Sequence, residues 1–223
     1  MIPWTLVDTA RIPGGAGELR LMRRGGEFSI MLGANELMNS RMGGSEEALA
    51  TLACARLADR AAARVLIGGL GMGFTLRAAL AALGPNAKIE VAELVPAVIA
   101  WARGPMAEVF GESLRDPRLT LLEADVGRPI RAARAGFDAI LLDVDNGPDG
   151  LTRDSNDALY NASGLKAAHA ALRPGGVFAV WSSGPDRAFS ARLRKAGFAV
   201  EEATARAKGA KGGARHVVWI ATR

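Results

Sequence analysis

Three groups of residues in this chain have types and spacing suited to chemistry. The first is Val65-Leu66-Ile67-Gly68-Gly69-Leu70-Gly71-Met72-Gly73-Phe74. An apolar strand pattern runs into a glycine-rich turn, and a helical pattern follows. Glycine permits positive φ and lets a bound molecule approach the backbone without meeting a Cβ. N–H groups at the start of a helix favour polar or anionic ligand atoms. Gly69, Gly71 and Gly73 form G-x-G-x-G. The dinucleotide fingerprint needs glycine where Phe74 stands, which argues against NAD. The second group is acidic. Glu93 ends the next strand, about 20 residues after the glycines, where a carboxylate offers two oxygens to two ribose hydroxyls. Asp125 ends the third strand, where it suits an adenine amino group or the capping of the segment that follows. The third group is Asp143-Val144-Asp145-Asn146, at the end of a strongly apolar strand.

Side chains alternate along a strand, so Asp143 and Asp145 can point the same way. A carboxylate there can take a proton from an amine or hold a cationic substrate. Transfer from a sulfonium donor expels a neutral thioether, so it needs alignment and a deprotonated nucleophile more than acid catalysis. Asp149, Asp154 and Asp157 lie among turn residues and read as Asx turns or a helix cap.

These residues need an alternating α/β scaffold to bring them to one rim. Strand patterns fall at Arg64–Ile67, Lys88–Glu93, Leu119–Leu122, Phe137–Asp143 and Val177–Ser182, and helical patterns at Phe74–Leu83, Pro96–Arg103, Asp157–Leu172 and Asp186–Ala196. Repeated βα units with buried-looking strands predict a Rossmann-like, doubly wound, mostly parallel sheet of seven strands. No helix separates Phe198–Ala205 from His216–Ala221, which predicts an antiparallel C-terminal pair. Ahead of this, Trp4–Val7, Glu18–Arg23 and Phe28–Leu32 read as a small β appendage, and Ser45 as the N-cap of a helix running to about Ala61. The expected division is residues 1–43 for the appendage and 44–223 for a nucleoside-binding domain.

With 223 residues, 49% of them hydrophobic, the chain can build a sizeable core. No apolar run reaches membrane-spanning length. No secretory pattern follows Met1-Ile2-Pro3-Trp4, and the lone Cys54 allows neither an internal disulfide nor a multi-cysteine metal site. His169 and His216 have no partner at metal-ligand spacing and read as structural, as does Trp181. A cytoplasmic protein is expected, without metal, membrane or nucleic-acid partner. The net charge of +5 owes much to Arg206, Lys208, Lys211 and Arg215. No aromatic residues interleave with these to stack bases, so the glycine-rich stretch from Lys208 to Arg215 reads as a solvated hairpin loop.

Over most of its length the chain resembles the spermidine synthase branch of the class I S-adenosylmethionine-dependent methyltransferase fold. The resemblance rests on Val65-Leu66-Ile67-Gly68-Gly69, Val91-Ala92-Glu93-Leu94-Val95-Pro96, Ala124-Asp125, Phe137–Asp143 and Leu172-Arg173-Pro174-Gly175-Gly176. It implies that Glu93 binds ribose, Asp125 adenine, and that Asp143 is the amine-activating base. Asp145 and Asn146 would meet the acceptor. The implied donor is S-adenosylmethionine or its decarboxylated form, the implied reaction aminopropyl transfer to a small cationic amine, and the implied assembly a homodimer. The family usually carries aspartate where Gly71 and Asn146 stand, and glutamine and aromatic positions within residues 36–49 are absent here. Two alternatives stand beside aminopropyl transfer: a small-molecule methyltransferase, and a catalytically silent nucleoside-binding homologue.

Overall fold

The computed structural model describes residues 2–15, 17–144 and 158–223. Two sheets share one core. The first is an antiparallel meander of β1 (Thr5–Arg11), β2 (Glu18–Arg24), β3 (Glu27–Leu32) and β4 (Asn35–Asn39), in the order β1-β2-β3-β4. The second has seven strands: β5 (Arg64–Gly68), β6 (Lys88–Glu93), β7 (Leu119–Glu123), β8 (Phe137–Leu142), β9 (Leu172–Ser182), β10 (Ala199–Arg206) and β11 (Arg215–Thr222). Their spatial order is β10-β11-β9-β8-β5-β6-β7. β5 to β9 pair in parallel, while β11 runs antiparallel to both β9 and β10, as the missing helix between the last strands predicts.

Helices among the described residues include α1 (Gly44–Ala55), α2 (Phe74–Ala82), α3 (Pro96–Arg103), α4 (Ala107–Phe110), α5 (Gly127–Ala132), α6 (Ala162–Ala171) and α7 (Arg187–Lys195). Val65 and Ile67 join one apolar cluster and Leu66 the other. That split is the period of two of a strand with both faces covered. The first cluster also takes Ile12, Leu19, Leu21, Phe28 and Ile30 from the N-terminal sheet. Asp8 of β1 further accepts the indole N–H of Trp101 on α3 at 2.7 Å.

Asp138 is a buried charge in the otherwise apolar β8. It accepts from the Arg64 backbone N–H at 2.7 Å, from Arg173 at 2.8 Å and from Arg60. Burial opposes its ionisation, but these donors prevail and hold the carboxyl below its ordinary range. One side chain thus ties together the starts of β5, β8 and β9.

The structure corrects several sequence expectations. β4 was not anticipated, because Asn35-Glu36-Leu37-Met38-Asn39 carries little strand signal. Helix α1 ends at Ala55, not Ala61, and the chain leaves through tight turns at Arg56 and Leu57. Its N-cap is Gly43, with no side-chain cap. Ser45 sits inside the first turn, fully buried, and its hydroxyl is engaged elsewhere. β9 runs through Arg173–Gly176, where a loop was expected; a register shift against β8 absorbs the extra residues.

Candidate functional site

The strand order reverses between β5 and β8. From β5 the chain winds outward to β6 and β7, then returns to β8 on the other side. A crevice opens at such a switch point, beyond the carboxyl ends of the strands. Here it is a cavity of about 190 Å³. Gly69, Gly71, Gly73, Glu93, Asp125 and Asp143, six residues singled out from the sequence, all line it. Asp145 and Asn146 lie outside the described residues, as do Asp149, Asp154 and Asp157.

The glycine turn is packed too closely for side chains. Gly69 has φ +89°, and a Cβ there would stand 2.4 Å from the Asp143 carbonyl oxygen. The approach is tight because the backbones of β5 and β8 are paired up to this point, with the Asp143 N–H donating to the Gly68 carbonyl at 3.0 Å. No side chain caps α2, which leaves its first N–H groups free of a capping partner at the turn.

Glu93 is buried at 8% exposure, with its carboxylate turned into the glycine turn. One oxygen accepts from the Leu70 N–H at 2.9 Å and the other from the Val95 N–H at 2.8 Å. Burial raises its pKa, and the backbone donors partly counter that. A carboxylate offers about four lone-pair directions, and the Leu70 and Val95 N–H groups take two of them. Asp125 accepts from the Gly127 N–H at 2.7 Å while still lining the cavity. Its two sequence readings, turn-former and cavity residue, therefore coexist.

Asp143 stands opposite. It is half-buried, lines the cavity, and accepts from the Thr75 hydroxyl at 2.7 Å. Burial, and then the nearby charge of Glu46, push its pKa up to about 7; the Thr75 bond works against the shift. Such a carboxyl exchanges a proton readily near neutral pH, as a general base for an amine requires.

Three lining residues, Glu46, Trp181 and Met38, and one residue behind them, Thr75, were not identified as functional from sequence. Glu46 was read as part of a helix start, yet it lines the cavity and influences Asp143. Thr75 orients Asp143 from the first turn of α2. Trp181, read as core, is 8% exposed and forms part of the wall. Met38 reaches over the glycine turn from β4: a Cβ on Gly71 would lie 3.0 Å from its sulfur. The thioether therefore fills space beside the position where the resembling family carries aspartate. His216, read as structural, lies 2.8 Å through Nδ1 from the Ser45 hydroxyl. A signal for Glu46 was available, since the stretch 36–49 was already set against the family's acceptor-facing segment.

No family model matches the chain. Among curated proteins, it is 36% identical over 115 residues to putrescine N-methyltransferase 1 of Nicotiana tabacum, covering 51% of this chain and 29% of that protein. It is 34% identical over 145 residues to the polyamine aminopropyltransferase of Mycobacterium tuberculosis, covering 61% of this chain and 27% of that one. The chain thus spans under a third of the length of these curated relatives. Among solved structures, spermidine synthase from Thermotoga maritima superposes with a TM-score of 0.77 over 97% of this chain and 72% of that one, at 18% identity. A spermidine synthase in complex with the transition-state analogue AdoDATO gives 0.75 over the same shares. The chain is spermidine synthase-like in fold, with the seven-stranded class I methyltransferase sheet and an N-terminal β-sheet.

Proposed function

We propose that this protein transfers an alkyl group from a sulfonium nucleoside to a small cationic amine, with aminopropyl transfer from decarboxylated S-adenosylmethionine as the leading reaction. The observation that carries this reading is Asp143, a cavity-facing carboxyl with a pKa near neutrality, set against the glycine turn and opposite Glu93. The two groups of curated relatives bear names that specify putrescine or polyamine as the molecule modified, which supports an amine acceptor here.

In this reading Gly69, Gly71 and Gly73 admit the donor to the backbone, Glu93 accepts from its ribose, and Asp125 from its adenine. Asp143 holds the acceptor ammonium and removes one proton; the family resemblance assigns Asp145 and Asn146 to the acceptor as well. The amine lone pair then forms a C–N bond as the C–S bond breaks, and its electrons pass to sulfur. The leaving thioether is neutral, so no acid is needed. The domain division at 43/44, a homodimer and a cytoplasmic setting complete the proposal. Exposed Leu6 and Val7 on the edge strand β1, with exposed Ile2 ahead of it, support self-association.

Methyl transfer from S-adenosylmethionine is the second reading. The observation favouring it is Met38 beside Gly71, which leaves a thioether where a carboxylate would hold the ammonium of the donor's tail. The test is incubation of the full chain with each donor and a panel of diamines and polyamines, followed by mass spectrometry. Aminopropylated product is expected. Methylated product alone transfers the assignment to the second reading. Donor binding without any product leaves a nucleoside-binding protein.

A further inference from the structure

With a nucleoside bound as described above, its ribose lies at Glu93 and the reacting amine at Asp143. The glycine turn joins these two points. At one end the Leu70 N–H donates to Glu93 at 2.9 Å, and just beyond the other the Thr75 hydroxyl donates to Asp143 at 2.7 Å. The 5′ sulfur and the tail it carries must therefore pass along residues 71–74. Whatever stands over that stretch decides which tail the site takes.

Strand β4 stands over it. Its pairing with β3 runs through Ser29–Asn39 and Ile30–Met38, then skips to Met31–Glu36. Leu37 is the extra residue of a bulge. In a regular strand successive side chains face opposite sides, and a bulge re-aims one of them. Leu37 and Met38 accordingly both line the cavity. Both pack on the apolar cluster that holds Ile12, Leu19 and Ile30, which continue the wall. Met38 reaches the turn itself: a Cβ on Gly71 would lie 3.0 Å from its sulfur and 3.9 Å from its methyl carbon.

The polar groups of this strand are committed elsewhere. Asn39 also lines the cavity, but its oxygen accepts from the Arg41 and Met42 N–H groups and its nitrogen donates to Glu36. Glu36 in turn accepts from the Ser29 hydroxyl at 2.7 Å and pairs with Arg41 at 3.5 Å. A charged tail group at Gly71 thus meets a thioether and a leucine, losing water against atoms that offer it no ion partner. A methyl group at the same place gains from burial.

We propose that the bulge at Leu37 makes this an apolar tail subsite, in which Leu37 and Met38 select an uncharged 5′-alkylthio chain over a chain that ends in an ammonium. The inference rests on the nucleoside reading of the cavity and holds whichever alkyl group moves. For a sulfonium donor it means that affinity comes from the adenosine end, with the charge of the tail working against it.

The test is calorimetry on the full chain at pH 7 with two thioether nucleosides of equal length, 5′-butylthioadenosine and 5′-aminopropylthioadenosine. They differ only in ending with a methyl or an ammonium. Wild type should bind the butyl compound at least about tenfold more tightly. Met38→Glu sets a carboxylate beside Gly71 and should move that ratio by about tenfold or more toward the aminopropyl compound. Met38→Leu stays apolar and should retain the wild-type ratio. Methylthioadenosine, which has almost no tail, shows in each variant whether the nucleoside end still binds. Leu37→Glu repeats the measurement from the neighbouring position if Met38→Glu fails to fold. Equal affinities in wild type, tighter binding of the aminopropyl compound, or a ratio that the carboxylate variants leave unmoved overturns the subsite. Failure of methylthioadenosine to bind wild type is a different result: it removes the nucleoside reading, and the subsite with it.

Discussion

Glu93 and Asp143 are both carboxyls raised by burial, but different partners hold them. Glu93 is gripped by backbone N–H groups, whereas Asp143 has one hydroxyl donor and a carboxylate neighbour. Glu93→Ala should therefore weaken methylthioadenosine binding by about 1.5–3 kcal/mol through loss of a charged acceptor. Calorimetry checks this, and equal affinities would remove Glu93 from the site. Asp143 carries a second consequence for stability. Its folded pKa of about 7 exceeds the ordinary 3.8, so folding favours the protonated form. The stabilisation is fully present below the ordinary value and is lost as pH rises through about 7. Asp143→Asn removes that dependence, so relative to wild type it should gain stability between acid and mildly alkaline pH, by up to about 4 kcal/mol. Urea denaturation at the two pH extremes reads the difference. A pH-independent gap between variant and wild type would contradict the raised pKa. Asp143 and Glu93 were legible in the sequence because each follows an apolar strand. Glu46 was not, because its role depends on α1 being brought against β8 and β11. The Ser45–His216 bond joins residues 171 positions apart.

Among the elements, α1 and the β10–β11 hairpin form a unit that sequence patterns describe only in part. The charged side chains at Lys208, Lys211 and Arg215 are exposed, as the solvated-loop reading expects. The loop backbone is not free, however. Gly44 donates to the Ala207 carbonyl at 2.9 Å, and a Cβ on Gly44 would lie 2.2 Å from the Gly209 nitrogen. The hairpin thus sets the position of the helix start that carries Ser45 and Glu46. Replacing Lys208, Lys211 and Arg215 together with alanine should leave methylthioadenosine affinity unchanged by calorimetry; a large loss would make the charges part of the site. Gly44→Ala should lower the melting temperature, because the clash falls on backbone. The βα units were readable because glycine, proline and acidic residues mark their boundaries. β4 was not, since pairing with β3 outweighs its weak local preference. Asp138 shows tertiary context overriding pattern in another way, as a charge on a strand buried along its whole length. Asp138→Asn should destabilise by about 2–3 kcal/mol in urea, through loss of charged hydrogen bonds to Arg60 and Arg173. Little change would mean that those arginines are satisfied elsewhere.

At the scale of the whole molecule, two sheets close one cavity, with the chemical groups on the parallel sheet and an apolar wall from the meander. Ile12, Leu19, Ile30, Leu37 and Met38 supply that wall. The edge strand β1 exposes Leu6 at 56% and Val7 at 39%, and Ile2 just ahead of it is 65% exposed. Paired substitution of Leu6→Glu and Val7→Lys should convert the proposed dimer to monomer in sedimentation, and a wild-type monomer would refute the assembly. No described helix is long and apolar enough to cross a membrane. The central claim is narrower than any of this: Asp143 deprotonates an amine beside a bound nucleoside. The measurement that tests it most directly compares wild type and Asp143→Asn for alkylamine formation and methylthioadenosine affinity in the same preparation. Turnover should fall by about 10²–10⁴-fold, the usual worth of a general base, while nucleoside affinity stays within about twofold. Turnover that survives the substitution, or affinity that falls together with it, would contradict the claim.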